Sequence, residues 1–173
     1  MFGRDHGQLS CAGKKWPVIA IAGLTLLASQ AFADPQSEIS AYRQSYGLSA
    51  VSLDPKLTEL ASKQASAMAE RGSLDHNVYA SFRSRTASYG AASAAENLAM
   101  GTRTFGDTFT IWKSSSGHNA NLLKANVTRI GLASASSQGT TYWALILAAP
   151  PEPKQRNVKV LSIFPFLMLI RSP

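Results

Sequence analysis

Apolar residues along this chain fall into runs of different period, and polar punctuation separates them. One long apolar run covers Trp16 to Ala28. Asp34-Pro35 then gives a helix start, with Asp as N-cap and Pro at the first helical position. Ile39, Tyr42 and Tyr46 follow at helical spacing, and Gly47 ends the run. Asp54-Pro55 repeats the start signal. Leu57, Leu60, Ala61, Ala65 and Met68 make one apolar stripe to about Arg71, with Gly72 as C-cap. Residues 72–104 are less regular. Ser73 to Asn77 reads as a polar loop carrying His76, and Tyr79 to Arg85 as a short helix. Tyr89 to Ala95 is rich in Ala, Ser and Gly, which favours close backbone packing or a loop. Phe105, Phe109 and Trp112 predict a helix from about 105 to 113, broken by Ser114 to Gly117. His118 opens a short helical turn with Leu122 and Leu123.

Period two appears near the end. Val127 to Ser136 and Thr140 to Leu147 read as strands joined at Gln138-Gly139, a β-hairpin. Helices and strands are partly segregated, so the order predicts an α+β fold, with a small antiparallel sheet covered by helices on both faces. From Pro150 the pattern changes to a proline-rich linker. An apolar tail follows, Val160 to Ile170, 11 residues interrupted by Pro165 and too short to span a bilayer.

The first run reads as an address. Arg4, Lys14 and Lys15 precede it and Ala31-Phe32-Ala33 closes it as an A-x-A cleavage site, so residues 1–33 are a predicted secretory signal peptide. The run has 13 residues, where a spanning helix needs roughly 20. Cleavage is therefore expected, leaving no transmembrane helix in the mature chain and a location in the periplasm or outside the cell. The expected domain covers 34–149, with 150–173 as an appendage. The single cysteine, Cys11, falls inside the signal, which excludes an internal disulfide and a cysteine-rich zinc site.

The formal net charge of +7 divides unevenly: +2 on the signal, +3 on the tail and +2 on residues 34–149. The basic balance belongs mostly to the two ends. Arg71, Arg83, Arg85 and Arg103 are scattered without an aromatic-interleaved basic motif, so no nucleic-acid partner is expected.

Five short elements occur in order across 36–149. They are Leu53-Asp54-Pro55-Lys56-Leu57, Leu74-Asp75-His76, Glu96-Asn97-Leu98-Ala99 with Gly101, Trp112 to Leu123 around Ser115, Gly117 and His118, and Tyr142-Trp143. The set resembles the bacterial type of the CAP superfamily, the SCP-like extracellular proteins related to pathogenesis-related protein 1. That resemblance implies an α-β-α sandwich. It also implies a cavity lined by two histidines and acidic residues, which here are His76, His118 and Glu96. A second glutamate expected after Trp112 is replaced by Lys113 and Ser114, and the cysteine-containing second signature is absent.

Two imidazoles and a carboxylate suit Zn²⁺ or another divalent metal with open positions for water, His76 and His118 being the implied ligands. Without metal, a His–Glu pair can act as base and acid near neutral pH. Asn97, Ser116 and Asn121 are candidate supports that fix imidazole tautomers or satisfy loop backbone. Each has an ordinary reading as well: His118 as a helix-start residue, His76 as a solvated side chain, Glu96 as a holder of backbone amides. Trp112 and Trp143 read as core.

Two functions follow. One is a secreted binding module for a lipid, small-molecule or cell-envelope ligand. The other is an extracytoplasmic hydrolase, metal-assisted or dependent on His76, Glu96 and His118 as candidate catalytic residues. The chain has neither G-x-S-x-G nor H-E-x-x-H, and the sequence leaves open whether it is an enzyme.

Overall fold

The computed structural model describes residues 34–151, and Gly3 by itself. The expected signal, Cys11 and the tail from 152 lie outside the described residues.

Helix α1 spans Pro35–Ser45 and α2 spans Pro55–Arg71. Both start as their sequence predicts. Asp34 accepts from the amides of Gln36 and Ser37, and Asp54 from those of Lys56 and Leu57, satisfying amides that a helix start leaves unpaired. Gly72 ends α2 in the left-handed region, at φ 62°. Between these helices lies the two-residue strand β1, Ser52–Leu53.

The irregular segment resolves into two elements. Helix α3 is Phe82–Tyr89, three residues later than the pattern suggests, because Ser81 caps it through the Ser84 amide and Gly90 ends it. Strand β2 is Ala94–Met100, where the sequence reads as a loop at its start. Alanine and glutamate carry little strand preference of their own. Here the strand is imposed by antiparallel pairing with a later, strongly β-forming segment, Glu96 standing opposite Ile146 and Asn97 opposite Leu145.

Helices α4, Phe105–Ser114, and α5, Ser116–Leu122, follow, then β3, Arg129–Ser137, and β4, Thr140–Ala148. Gln138 and Gly139 both take positive φ, 49° and 77°, the geometry a tight hairpin needs.

The sheet order is β1-β3-β4-β2. The β3–β4 pair is antiparallel, as expected, and β2–β4 is antiparallel too, but β1 runs parallel to β3. The sheet is therefore mixed rather than wholly antiparallel. A long connection separates β1 from β3, and only a tight link between neighbours forces the antiparallel sense.

Alternation along β4 divides the core. Tyr142, Ala144, Ile146 and Ala148 pack with Leu57, Leu60, Ala61, Ala65 and Met68 of α2. Leu145 and Leu147 pack on the other face with Ile39 of α1, Phe109 and Trp112 of α4, and Leu122 of α5. The result is an α-β-α sandwich. Chain contact with the fold continues to Pro151, which bridges to Ala91.

Candidate functional site

The site is organised by β2, an edge strand. Alternation sends Leu98 into the α2 core, and Ala95 and Ala99 into the α1/α4/α5 core. Glu96 shares the face of Leu98, while Asn97 shares that of its alanine neighbours. Two adjacent residues thus reach opposite sides of the sheet edge, and each holds one histidine segment.

On the α2 side, the Glu96 carboxylate is 1% exposed. Its Oε1 accepts from His76 Nδ1 at 2.8 Å. Arg85, from α3, donates to both oxygens, Nη1 to Oε2 at 2.6 Å and Nη2 to Oε1 at 3.0 Å. The guanidinium also donates to the carbonyls of His76 and Ala80, and its face lies over the Phe82 ring at 5.4 Å. Gln64 of α2 donates to the Asp75 carbonyl at 2.6 Å, holding the loop that carries His76. The His76 side chain itself is 54% exposed.

On the other side, Asn97 Nδ2 donates to the His118 carbonyl at 3.0 Å. Asn121 of α5 donates to Asn97 Oδ1 at 2.9 Å and to the Glu96 carbonyl at 3.1 Å. Trp112 Nε1 donates to the Leu98 carbonyl. Edge-strand carbonyls need donors, and α4 and α5 supply them here. Asn97 and Asn121 thus satisfy backbone carbonyls of β2 and α5 and contact neither imidazole. Ser116 opens α5 as an exposed residue and stands apart from these contacts. Trp112 is fully buried core, as expected.

His118 is half-buried. Burial lowers its pKa below the ordinary 6.5, and the nearby charge of His76 lowers it further. Its Nδ1 is sealed from solvent and has no hydrogen-bond partner.

Arg85 is the residue the sequence does not single out. It stands among scattered arginines, yet it is 3% exposed. Nothing local signals its partner: Glu96 lies 11 residues away on a different kind of element.

The donor set can be tested against a divalent metal. A ligating histidine ordinarily donates its second ring N–H to a carboxylate or carbonyl. His76 meets that condition through Glu96, but His118 does not. Glu96 is committed to Arg85 and His76 through both oxygens. Among the described residues no group of three or more His, Cys, Asp or Glu is placed to hold a metal ion. The arrangement does not fit a three-ligand zinc centre.

Other concavities lie elsewhere. Clefts of about 300 and 310 Å³ run along α2 and under the β3–β4 turn. Neither is lined by a histidine, so the convergence of ionisable groups at β2 defines the candidate site better than volume does.

The fold is a small α-β-α sandwich whose edge strand holds two histidine segments. The sequence profile of the cysteine-rich secretory protein family, CAP, matches residues 36–147, and the chain belongs to that family. It is 32% identical over 97 residues to the uncharacterized protein YkwD of Bacillus subtilis (strain 168), a match covering 54% of this chain and 38% of that protein. The fold is similar to that of an outer surface protein from Borrelia burgdorferi, with a TM-score of 0.61 and 19% identity over 66% of this chain and 89% of the other. It is also similar to an extracellular SCP-domain protein of Bacillus anthracis str. Ames, with a TM-score of 0.58 and 19% identity over 66% and 38% of the two chains. Among the described residues no helix is long and apolar enough to cross a membrane.

Proposed function

We propose that this chain is an exported CAP-domain binding module, periplasmic or extracellular, whose ligand is a lipid, small molecule or cell-envelope component taken at the edge formed by His76 and His118. The compartment rests on the signal pattern of residues 1–33, on the secretory family, and on relatives described as outer-surface and extracellular proteins. The observation that carries binding over catalysis is the engagement of Glu96. Its oxygens accept three hydrogen bonds from Arg85 and His76 and its side chain is only 1% exposed, so the carboxylate is held as a buried acceptor and is not presented to a ligand.

The hydrolase reading has one observation in its favour. His76 Nδ1 on Glu96 is the base-and-orienter half of a nucleophilic arrangement. No serine or cysteine nucleophile hydrogen-bonds to His76 among the described residues, so the arrangement stops at that half.

Uptake of phosphatidylglycerol and of a fluorescent sterol by the purified protein, with and without His76→Ala/His118→Ala, tests the proposal. Binding that the double variant loses supports it. Turnover of a peptide or ester panel that Glu96→Gln abolishes overturns it. Metal analysis of the exported protein decides whether zinc or another divalent ion travels with it.

A further inference from the structure

His76 Nδ1 lies 2.8 Å from a carboxylate oxygen that also accepts from Arg85. Such an oxygen accepts rather than donates, so the imidazole proton sits on Nδ1. The exposed His76 ring then offers Nε2 as an open lone pair. His118 is built the other way. Its Nδ1 is sealed without a partner, and an orphaned buried N–H is rarer in folded proteins than an orphaned acceptor. The proton therefore belongs on Nε2, the nitrogen through which this ring can be reached. Burial favours the neutral ring further.

We propose that Arg85, acting through Glu96, and the sealed inner edge of His118 hold the two histidines in opposite tautomers, so that the pair receives an uncharged group that both donates and accepts, such as a hydroxyl, rather than a divalent cation. Arg85 is a positioning residue in this scheme. It fixes the carboxylate that fixes the His76 proton, and the same guanidinium holds the His76 carbonyl at 2.7 Å. A cation could reach His118 only through Nε2. That would move the proton to Nδ1, where no acceptor waits. The inference rests on reading His76 and His118 as one binding site, but tautomers are measured without any ligand.

The test is long-range ¹H–¹⁵N spectroscopy of the full-length protein labelled at histidine, with signals assigned from His76→Gln and His118→Gln. The expected result is Nδ1–H for His76 and Nε2–H for His118. Arg85→Met, confirmed as folded by its amide spectrum, strips the buried carboxyl of its cation so that burial favours its neutral, donating form. That should move His76 toward Nε2–H and leave His118 as it was, whereas Arg85→Lys, which keeps the charge, should leave both rings unchanged. The same tautomer at both rings in the unaltered protein would overturn the proposal, whatever the variants do. Zinc titration gives a second readout. His118→Gln is expected to change zinc affinity less than about threefold, where losing a ligand's support alone costs roughly 10–100-fold. Tight 1:1 zinc binding that needs both histidines would also overturn it. Failure of the binding reading looks different: the tautomers as assigned, with lipid uptake indifferent to both histidines.

Discussion

The guanidinium of Arg85 meets both carboxylate oxygens of Glu96 while each side chain is only 1% exposed. A pair buried this fully loses most of its hydration, and its geometry must compensate. The double contact and the extra carbonyl acceptors supply that compensation. Removing one partner strands the other. Arg85→Met or Glu96→Ala is expected to cost about 3–5 kcal/mol, read as a lower urea midpoint at unchanged slope. Arg85→Met/Glu96→Leu should recover most of that loss, because an apolar pair leaves no charge behind. Single variants within about 1 kcal/mol of the parent would show that water reaches the pair.

His118 sets a pH dependence. Its folded pKa lies below the ordinary 6.5 because of burial and then the His76 charge. The unfolded chain therefore binds the proton first as pH falls. The stabilising contribution of the neutral ring is complete above pH 6.5 and is lost as pH falls from there toward the folded value. Asp34 and Glu59 have lowered pKa values, from hydrogen bonds to Ser37 and Lys63, and act lower, below their ordinary 3.8 and 4.5. Thermal midpoints between pH 7 and 5 should fall for the parent protein, and His118→Gln should flatten that part of the curve. An unchanged slope in the variant would assign the effect to another group.

Arg43 ties the first helix to the segment between α5 and β3. It is fully buried, with Nε on the Ser49 carbonyl, Nη1 on those of Leu122 and Lys124, and Nη2 on that of Val127. It thus satisfies carbonyls at the end of α5 and in the turn before β3, where no helix or ladder amide reaches. Arg43→Met leaves them unpaired and is expected to cost roughly 3 kcal/mol or more. Arg43→Lys should recover little, since one ammonium cannot span a fork of acceptors. Equilibrium denaturation of the two variants checks both statements.

The chemistry of these residues explains what the sequence reveals and what it hides. Asp34-Pro35 and Asp54-Pro55 carry their whole message locally, because a cap needs only the next three residues, and both helices begin there. The hairpin is equally local, with Gln138-Gly139 at its turn. Strand β2 is not local. Its alanines pair because β4 lies alongside, and no property of residues 94–100 alone announces that. His76 reaches Glu96, and the His118 segment reaches Asn97, only through that strand, so the spacing of these residues is silent and the family motif alone pointed to them. Arg85 and Arg43 were illegible for a related reason. A buried arginine is recognised by its acceptors, and theirs lie on other elements.

Gly131 marks where the sandwich is thinnest. In β3 it sits directly beneath α2, and a methyl group there would stand 2.1 Å from the Leu57 carbonyl carbon, 2.3 Å from its oxygen and 2.3 Å from the Thr58 nitrogen. All three are backbone atoms and cannot rotate away. Gly131→Ala must therefore lift the helix off the sheet, opening the contact of Leu57, Leu60 and Ala61 with β4. Overpacking typically costs about 1–3 kcal/mol and more where the neighbour cannot yield, so the variant is expected to melt well below the parent or to fail to accumulate in soluble form. Gly106→Ala is the control. It lies in α4 with open space around its Cβ position and no positive φ, where alanine gains up to about 1 kcal/mol of helix propensity. The two substitutions add the same methyl group, and opposite shifts in thermal midpoint are the expected outcome. Equal tolerance at both positions would mean that α2 does not rest backbone to backbone on β3.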